Sequence, residues 1–200
     1  PTALLALANF ASNQGEPAIA LRVYRHLLAH NLETDGAALL VAEAHIVAGD
    51  HNAALDFLSE VGHSRPEWLA KFRSNVNGLQ AIANYGLGHR EESDLYLEQL
   101  LKEPNLRTVN LTAIANHLIT VGAKAQARRV LAQTVAGNPR NQAALSLLVQ
   151  LDLDRAPSDE LIANLRHLLA IRRPSQQVLQ AASTRLSSDR FLYVAGRNEV

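Results

Sequence analysis

The chain has no cysteine and no methionine among its 200 residues. It therefore makes no disulfide, offers no thiolate to a metal and holds no thiol nucleophile. A cysteine-free chain suits reducing and oxidising compartments alike. Aromatics are scarce, at 4% with Trp68 the single tryptophan, so a core has to be built from aliphatic side chains. Neither sign of charge is in excess: 19 Lys and Arg balance 19 Asp and Glu. A nucleic-acid surface needs a basic surplus to displace counterions, and the sequence has none. No apolar run approaches the ~20 residues of a membrane-spanning helix, and the first residues do not read as a secretory signal. A chain that begins at Pro1 and lacks Met reads as a segment of a longer protein.

What is plentiful is alanine and leucine, spaced as in helices. Gly15, Gly49, Gly88 and Gly122 each separate two such apolar stretches. The first two are 34 residues apart, the last two 34, and the middle interval is 39. A period of this size marks stacked helix pairs. At this period Leu4, Leu7, Ala8, Ala11, Ala20, Tyr24 and Leu27 are the core landmarks of the first unit. Ala38, Val41, Ala42, His45, Ala54, Leu58 and Val61 repeat them in the second. Asn77, Gln80, Ala81, Asn84, Ser93, Leu97 and Leu100 do so in the third, whose first helix is the least apolar. Leu111, Ile114, Ala115, Leu118, Ala127, Leu131 and Thr134 mark the fourth. Leu145, Leu148, Val149, Leu161, Leu165 and Leu168 mark the fifth, where Ala156-Pro157 replaces the glycine. Leu179, Ala182, Ser183 and Leu186 fit a sixth first helix.

These landmarks predict eleven helices: 2–14, 17–30, 36–48, 51–61, 66–87, 90–102, 108–120, 124–136, 141–153, 158–171 and 175–187. Pro17 and Pro66 fall at predicted helix starts, and Pro157 and Pro174 just before one, where a missing N–H costs little. The extra residues in the 39-residue interval lengthen the third unit's first helix, which begins at Pro66-Glu67-Trp68.

The period, the small residues Ala8, Ala42, Ala81 and Ala115, and the second small set Ala20, Ala54 and Ala127 resemble the tetratricopeptide repeat family in a divergent, bacterial-looking form. Small residues let antiparallel helices approach closely while larger neighbours fill the gaps. Pro139 ends a second helix, as the family pattern has it. No proline stands at Leu32, and no large aromatic at Leu4, Ala38 or Leu111. The resemblance implies an all-α, right-handed solenoid of stacked antiparallel helix pairs. The units are 1–34, 35–65, 66–107, 108–141 and 142–174, with a partial unit at 175–188. They form a single superhelical domain over 1–188, and 189–200 is a tail or the start of a further region; its Phe191, Leu192, Tyr193 and Val194 are apolar enough to dock.

In this family the first helix of each pair lines a concave groove. The resemblance places Asn9, Asn13, Glu43, Ile46, Tyr85, Asn116 and Thr120 there. Asn9 and Asn116 resemble the amides that hold an extended peptide backbone. The lysines of the carboxylate-clamping members are absent, with Leu5, Asn13, Thr112 and Thr120 in their places. Such a groove suits a neutral or amphipathic protein segment. Apolar groove positions also serve simply as packing between helices. Trp68 has two readings: it closes the hydrophobic seam with the second unit, or it projects an exposed edge for a partner.

Catalytic and metal chemistry find little footing. His26 and His30 have chelating spacing but no third ligand nearby. His45 reads as a packed core histidine. His117 and His167 have no nucleophile beside them. Glu91 and Glu92 suit a helix N-terminus. Asp152, Asp154, Asp159 and Glu160 read as helix capping rather than a calcium loop. Arg128-Arg129 and Arg172-Arg173 are too few for a nucleic-acid track. Asn110-Leu111-Thr112 matches a glycosylation sequon, but Leu111 is a core landmark.

The expected function is thus a non-catalytic interaction scaffold that binds a protein or peptide segment, with no nucleic acid, no cofactor and no membrane insertion by this segment. Ala/Leu-rich repeats of this kind look like those of bacterial envelope proteins, including exopolysaccharide-export and surface-protein-sorting components. Two alternatives stand beside it: a sensor domain for a small peptide or ligand, and a docking segment of a larger enzyme.

Overall fold

The computed structural model describes residues 2–30, 32, 34–103, 108–155, 158–171, 174 and 176–187. The apolar tail at 191–194, Ala156-Pro157, Arg172-Arg173 and the side chains of Asn13 and Asn110 lie outside the described residues.

The described residues form eleven helices and no strand. They are α1 (Thr2–Asn13), α2 (Pro17–Ala29), α3 (Thr34–Val47), α4 (His51–Ser64), α5 (Pro66–Gly86), α6 (Arg90–Leu101), α7 (Thr108–Thr120), α8 (Lys124–Gly137), α9 (Gln142–Arg155), α10 (Ser158–Ile171) and α11 (Gln176–Ser187). Each lies within a few residues of its expected bounds.

The periodic glycines have one job. Gly15, Gly49, Gly88 and Gly122 have φ of 80, 78, 86 and 83°, the left-handed region that a Cβ disfavours. Each follows the last turn of a first helix. The next residue's N–H then bonds back into that turn: Glu16 to the Ala11 carbonyl at 2.9 Å, Asp50 to His45 at 2.9 Å, His89 to Asn84 at 2.9 Å and Ala123 to Leu118 at 2.7 Å. Carbonyls that would end the helix unpaired are satisfied, and the chain reverses into the second helix. Asp50 also caps α4, accepting from the Ala53 N–H at 3.4 Å.

The small-residue register is equally regular. Ala8, Ala20, Ala42, Ala54, Ala81, Ala115 and Ala127 are all fully buried. Ser93 occupies the second small position of the third unit, and its hydroxyl donates to the Ala81 carbonyl at 2.7 Å. A buried hydroxyl thus finds its partner on the facing helix, at the other small position of the same unit.

Contacts cluster into two compact units. One is Pro1–Leu106 with His117–Ala123, and the other is Arg107–Asn116 with Lys124–Val200. In the first unit α1, α2 and α3 share a core of Ala8, Ala11, Ala20, Tyr24, Leu27, Ala37, Val41 and Ala44. Leu7 departs from its expected place: it is 52% exposed, whereas Val41, the same position one repeat on, is fully buried. α5 is the long helix, 21 residues, with a kink at Phe72 (φ −110°, ψ 18°). Trp68 is 2% exposed, and its ring lies 5.5 Å from that of Phe72. That corrects the edge reading of Trp68: its apolar area is spent inside the fold, and no exposed edge is left for a partner. His45 is buried as a core residue, with its Nε2 3.2 Å from the Arg25 guanidinium and its Nδ1 3.7 Å from the Asp50 carboxylate. Arginine only donates, so Nε2 accepts and Nδ1 carries the hydrogen toward Asp50.

In the second unit Leu145, Leu148, Val149, Leu161, Leu165 and Leu168 are buried as expected. Asp159 and Glu160 stand in the first turn of α10, as the capping reading expects, but Asp152 does not cap a helix. Asp152 has a fully buried side chain that accepts from Arg128 Nε at 2.6 Å and from Asn164 Nδ2 at 2.7 Å. Arg128 also pairs with Glu160, and Lys124 reaches Asp154 at 2.6 Å. Two basic side chains of α8 thereby tie it to α9 and α10. At Asp152 the capping reading loses because a carboxylate buried beside a guanidinium gains a charge-assisted bond that a solvated helix end does not offer.

Candidate partner-binding face

The first helices of the first unit bring Asn9, Glu43 and Tyr85 to the surface, and each is held by a neighbour. Asn9 on α1 is exposed, and its Oδ1 accepts from the Tyr24 hydroxyl of α2 at 2.6 Å. Tyr24 is itself buried. Burial, with the Glu43 carboxylate adding to it, raises the phenol pKa above its ordinary value. The hydroxyl therefore stays a donor and fixes the amide's carbonyl end, leaving the NH₂ end of Asn9 turned to other partners.

Glu43 on α3 accepts from His117 Nε2 on α7 at 2.6 Å. The two residues are 74 apart in sequence. The carboxylate is 35% exposed and the imidazole 21%. One carboxylate oxygen is occupied by His117, and the group has two. This contact fixes the position of the acidic group on the face.

Tyr85 on α5 is half-buried. Its hydroxyl donates to the Gly122 carbonyl at 3.3 Å. The Arg90 guanidinium lies 3.4 Å from the ring centroid and donates to the Tyr85 carbonyl at 2.9 Å. A cation over an aromatic face stabilises both. Tyr85 is therefore an anchored ring with its side chain partly open.

Asn116 and Thr120 are both exposed on α7; Thr120 falls in the first compact unit and Asn116 in the second. Ile46 is buried. It packs inside the fold and is corrected from a contact residue to a core residue.

Sequence reasoning missed the partners behind these groups. Tyr24 stood only as a core landmark and His117 only as a neighbour of Asn116. The signal for His117 was faint: Asn9, Glu43 and Asn116 share a repeat register, and His117 stands one residue beyond it. Nothing in the sequence pointed to Arg90 stacking on Tyr85.

His26 on α2 and His30, the residue that follows that helix, are exposed with ring centroids 4.3 Å apart. Among the described residues no group of three or more His, Asp or Glu is placed to hold a metal. No described helix is long and apolar enough to cross a membrane.

The fold is that of tetratricopeptide-repeat proteins. The chain is similar to the crystal structure of TTC0263, a thermophilic TPR protein of Thermus thermophilus, with a TM-score of 0.59 and 19% identity over 92% of this chain and 98% of that one. A weaker likeness is to the P58(IPK) TPR domain, with a TM-score of 0.37 and 16% identity over 94% of this chain and 56% of that one. No protein-family profile matches the chain, and no curated protein sequence matches it.

Proposed function

We propose that the chain is a divergent member of the tetratricopeptide repeat family and works as a non-catalytic protein-interaction module. In this reading it binds a peptide or short helical segment along the face formed by the first helices of its repeats. The observation that carries the reading is the triad of surface groups Asn9, Glu43 and Tyr85, each fixed by a hydrogen bond with a residue behind or beside it. Polar groups held in place before binding lose little entropy on meeting a ligand. An amide recognises peptide backbone, and Glu43 favours a donor or a positive charge on the bound segment. The anchored ring of Tyr85 offers apolar area at low entropic cost. The second observation in support is the TPR fold, in which consecutive first helices repeat one register and so present side chains at regular intervals.

The test is selection from a displayed peptide library against the whole chain, followed by binding measurements with substituted protein. Peptides that are selected should lose tenfold or more in affinity, about 1.4 kcal/mol, on Asn9→Ala or Glu43→Ala. Peptides whose binding ignores all of Asn9→Ala, Glu43→Ala and Tyr85→Ala would refute this face as the site.

A further inference from the structure

One register of the first helices breaks in the third repeat. Asn9 on α1, Glu43 on α3, Ile82 on α5 and Asn116 on α7 each directly follow a fully buried alanine: Ala8, Ala42, Ala81 and Ala115. They therefore occupy the same place on their helices. Asn9 and Asn116 are exposed and the Glu43 side chain is 35% exposed, but Ile82 is fully buried. One turn earlier Leu5 and Leu39 are half-buried, whereas Gly78 is buried as well. This face is thus covered on α5 where it is open on α1, α3 and α7.

The position of α5 says what covers it. It packs on α3, and through the Tyr85 hydroxyl it reaches the Gly122 carbonyl just past the end of α7. Glu43 of α3 and His117 of α7 therefore come from the helices on its two sides, and they meet at 2.6 Å. A side-chain bond that joins two flanking helices passes over what lies between them. Beneath it are the aliphatic side chain of Ile82 and the bare backbone of Gly78, an apolar floor with a notch in it. On α1 the partner of Asn9 is Tyr24, a buried residue behind it, so that position stays open.

We infer that the Glu43–His117 hydrogen bond is a displaceable cover over this floor, and that the segment able to lift it carries a lysine or arginine within one helical turn of an apolar residue. The inference rests on the reading of the first-helix face as the binding site. In the free protein the imidazole holds the carboxylate where a ligand's cation would meet it. An ammonium or guanidinium brings more donors and a full charge to the same oxygen. It takes the imidazole's place and leaves the carboxylate where it stands. The apolar neighbour then reaches Gly78 and Ile82, and the area it buries helps to drive the exchange. A segment with only the basic group leaves the floor unfilled, and one with only the apolar group does not release His117. The requirement for both makes His117 a specificity-determining residue.

Two measurements on the whole chain test this. The first needs no ligand, because the chain has no cysteine and a single introduced thiol reports the cover. Ile82→Cys should react slowly with a soluble disulfide reagent, and at least about tenfold faster once His117→Ala is added. Leu58→Cys, at a position 1% exposed on α4, should react equally slowly with and without His117→Ala. A rate at position 82 that ignores His117, or one at position 58 that rises as much, overturns the cover. The second uses peptides selected from a displayed library. Those that weaken on Glu43→Ala should contain the basic and apolar pair, lose affinity when norleucine replaces the basic residue, and bind His117→Ala about two- to tenfold tighter, the range of one net hydrogen bond. Peptides that need Glu43 yet bind His117→Ala no better refute the inference and leave the binding face standing. Peptides indifferent to Asn9, Glu43 and Tyr85 alike remove the face, and the inference with it. Should Ile82→Cys fail to fold, the His117→Ala affinities decide alone.

Discussion

Removing Arg128 should cost the second unit more than neutralising the carboxylate it serves. Asp152 has no exposed side-chain area, and two groups hold it: Arg128 Nε at 2.6 Å and Asn164 Nδ2 at 2.7 Å. In Arg128→Ala the carboxylate keeps only the neutral amide of Asn164. A buried charge stripped of its partner costs about 3–5 kcal/mol. Arg128 is 36% exposed, so its removal opens a path for water to the carboxylate. The lower end of that range, about 3 kcal/mol, is therefore expected. Asp152→Asn removes the charge instead and keeps the shape. Arg128 then still has Glu160, and one buried donor loses its acceptor, a cost of about 1–2 kcal/mol. The double variant should cost clearly less than the two singles together, because the charge that Arg128→Ala strands is no longer there. Urea unfolding followed by circular dichroism, with hydrogen exchange on α8, α9 and α10 to localise the loss, measures all three. An Arg128→Ala cost below about 1 kcal/mol, the level of an exposed ion pair, would refute the reasoning.

Gly49→Ala should destabilise by about 1–2 kcal/mol, although a methyl there would meet no atom within 4 Å: the cost is the left-handed backbone at φ 78°. Gly36→Ala, inside α3 with equally open space, should instead stabilise by about 0.5–1 kcal/mol, and thermal unfolding of the two variants side by side shows whether φ or room decides. Burial, with the Arg25 guanidinium adding to it against the opposing pull of Asp50, holds the His45 pKa below its ordinary 6.5. The unfolded chain then takes up a proton that the native state resists. Stability from this group is full above about pH 6.5 and falls as the pH drops through that value toward the folded pKa. His45→Gln should flatten this part of the stability–pH curve, as read from urea midpoints between pH 7.5 and 5; an unchanged slope would refute the assignment.

The helix pairs were legible because they follow from local chemistry repeated at a fixed interval. A glycine every 34 or 39 residues needs only its own positive φ to end a helix, and alanine at close-approach positions needs only its size. So the eleven helices, the long α5 and the fully buried alanines could be read from the chain. The sequence also excluded thiol chemistry outright, since residues that are absent do nothing in any fold.

What needed tertiary structure was every contact between residues of different repeats or different faces. Trp68 looks the same in sequence whether it closes a seam or projects, and only packing against α5's own kink and its surroundings buried it. Leu7 and Val41 share one register, yet one is open and the other covered, because burial depends on which helix lies above. Asp152 read as a cap until Arg128 and Asn164 were found beside it. Glu43 and His117 meet across 74 residues, a separation at which no periodicity specifies a hydrogen bond. Periodicity reports which side of a helix is apolar; it carries no information about what stands opposite, and the polar chemistry of this protein is set there.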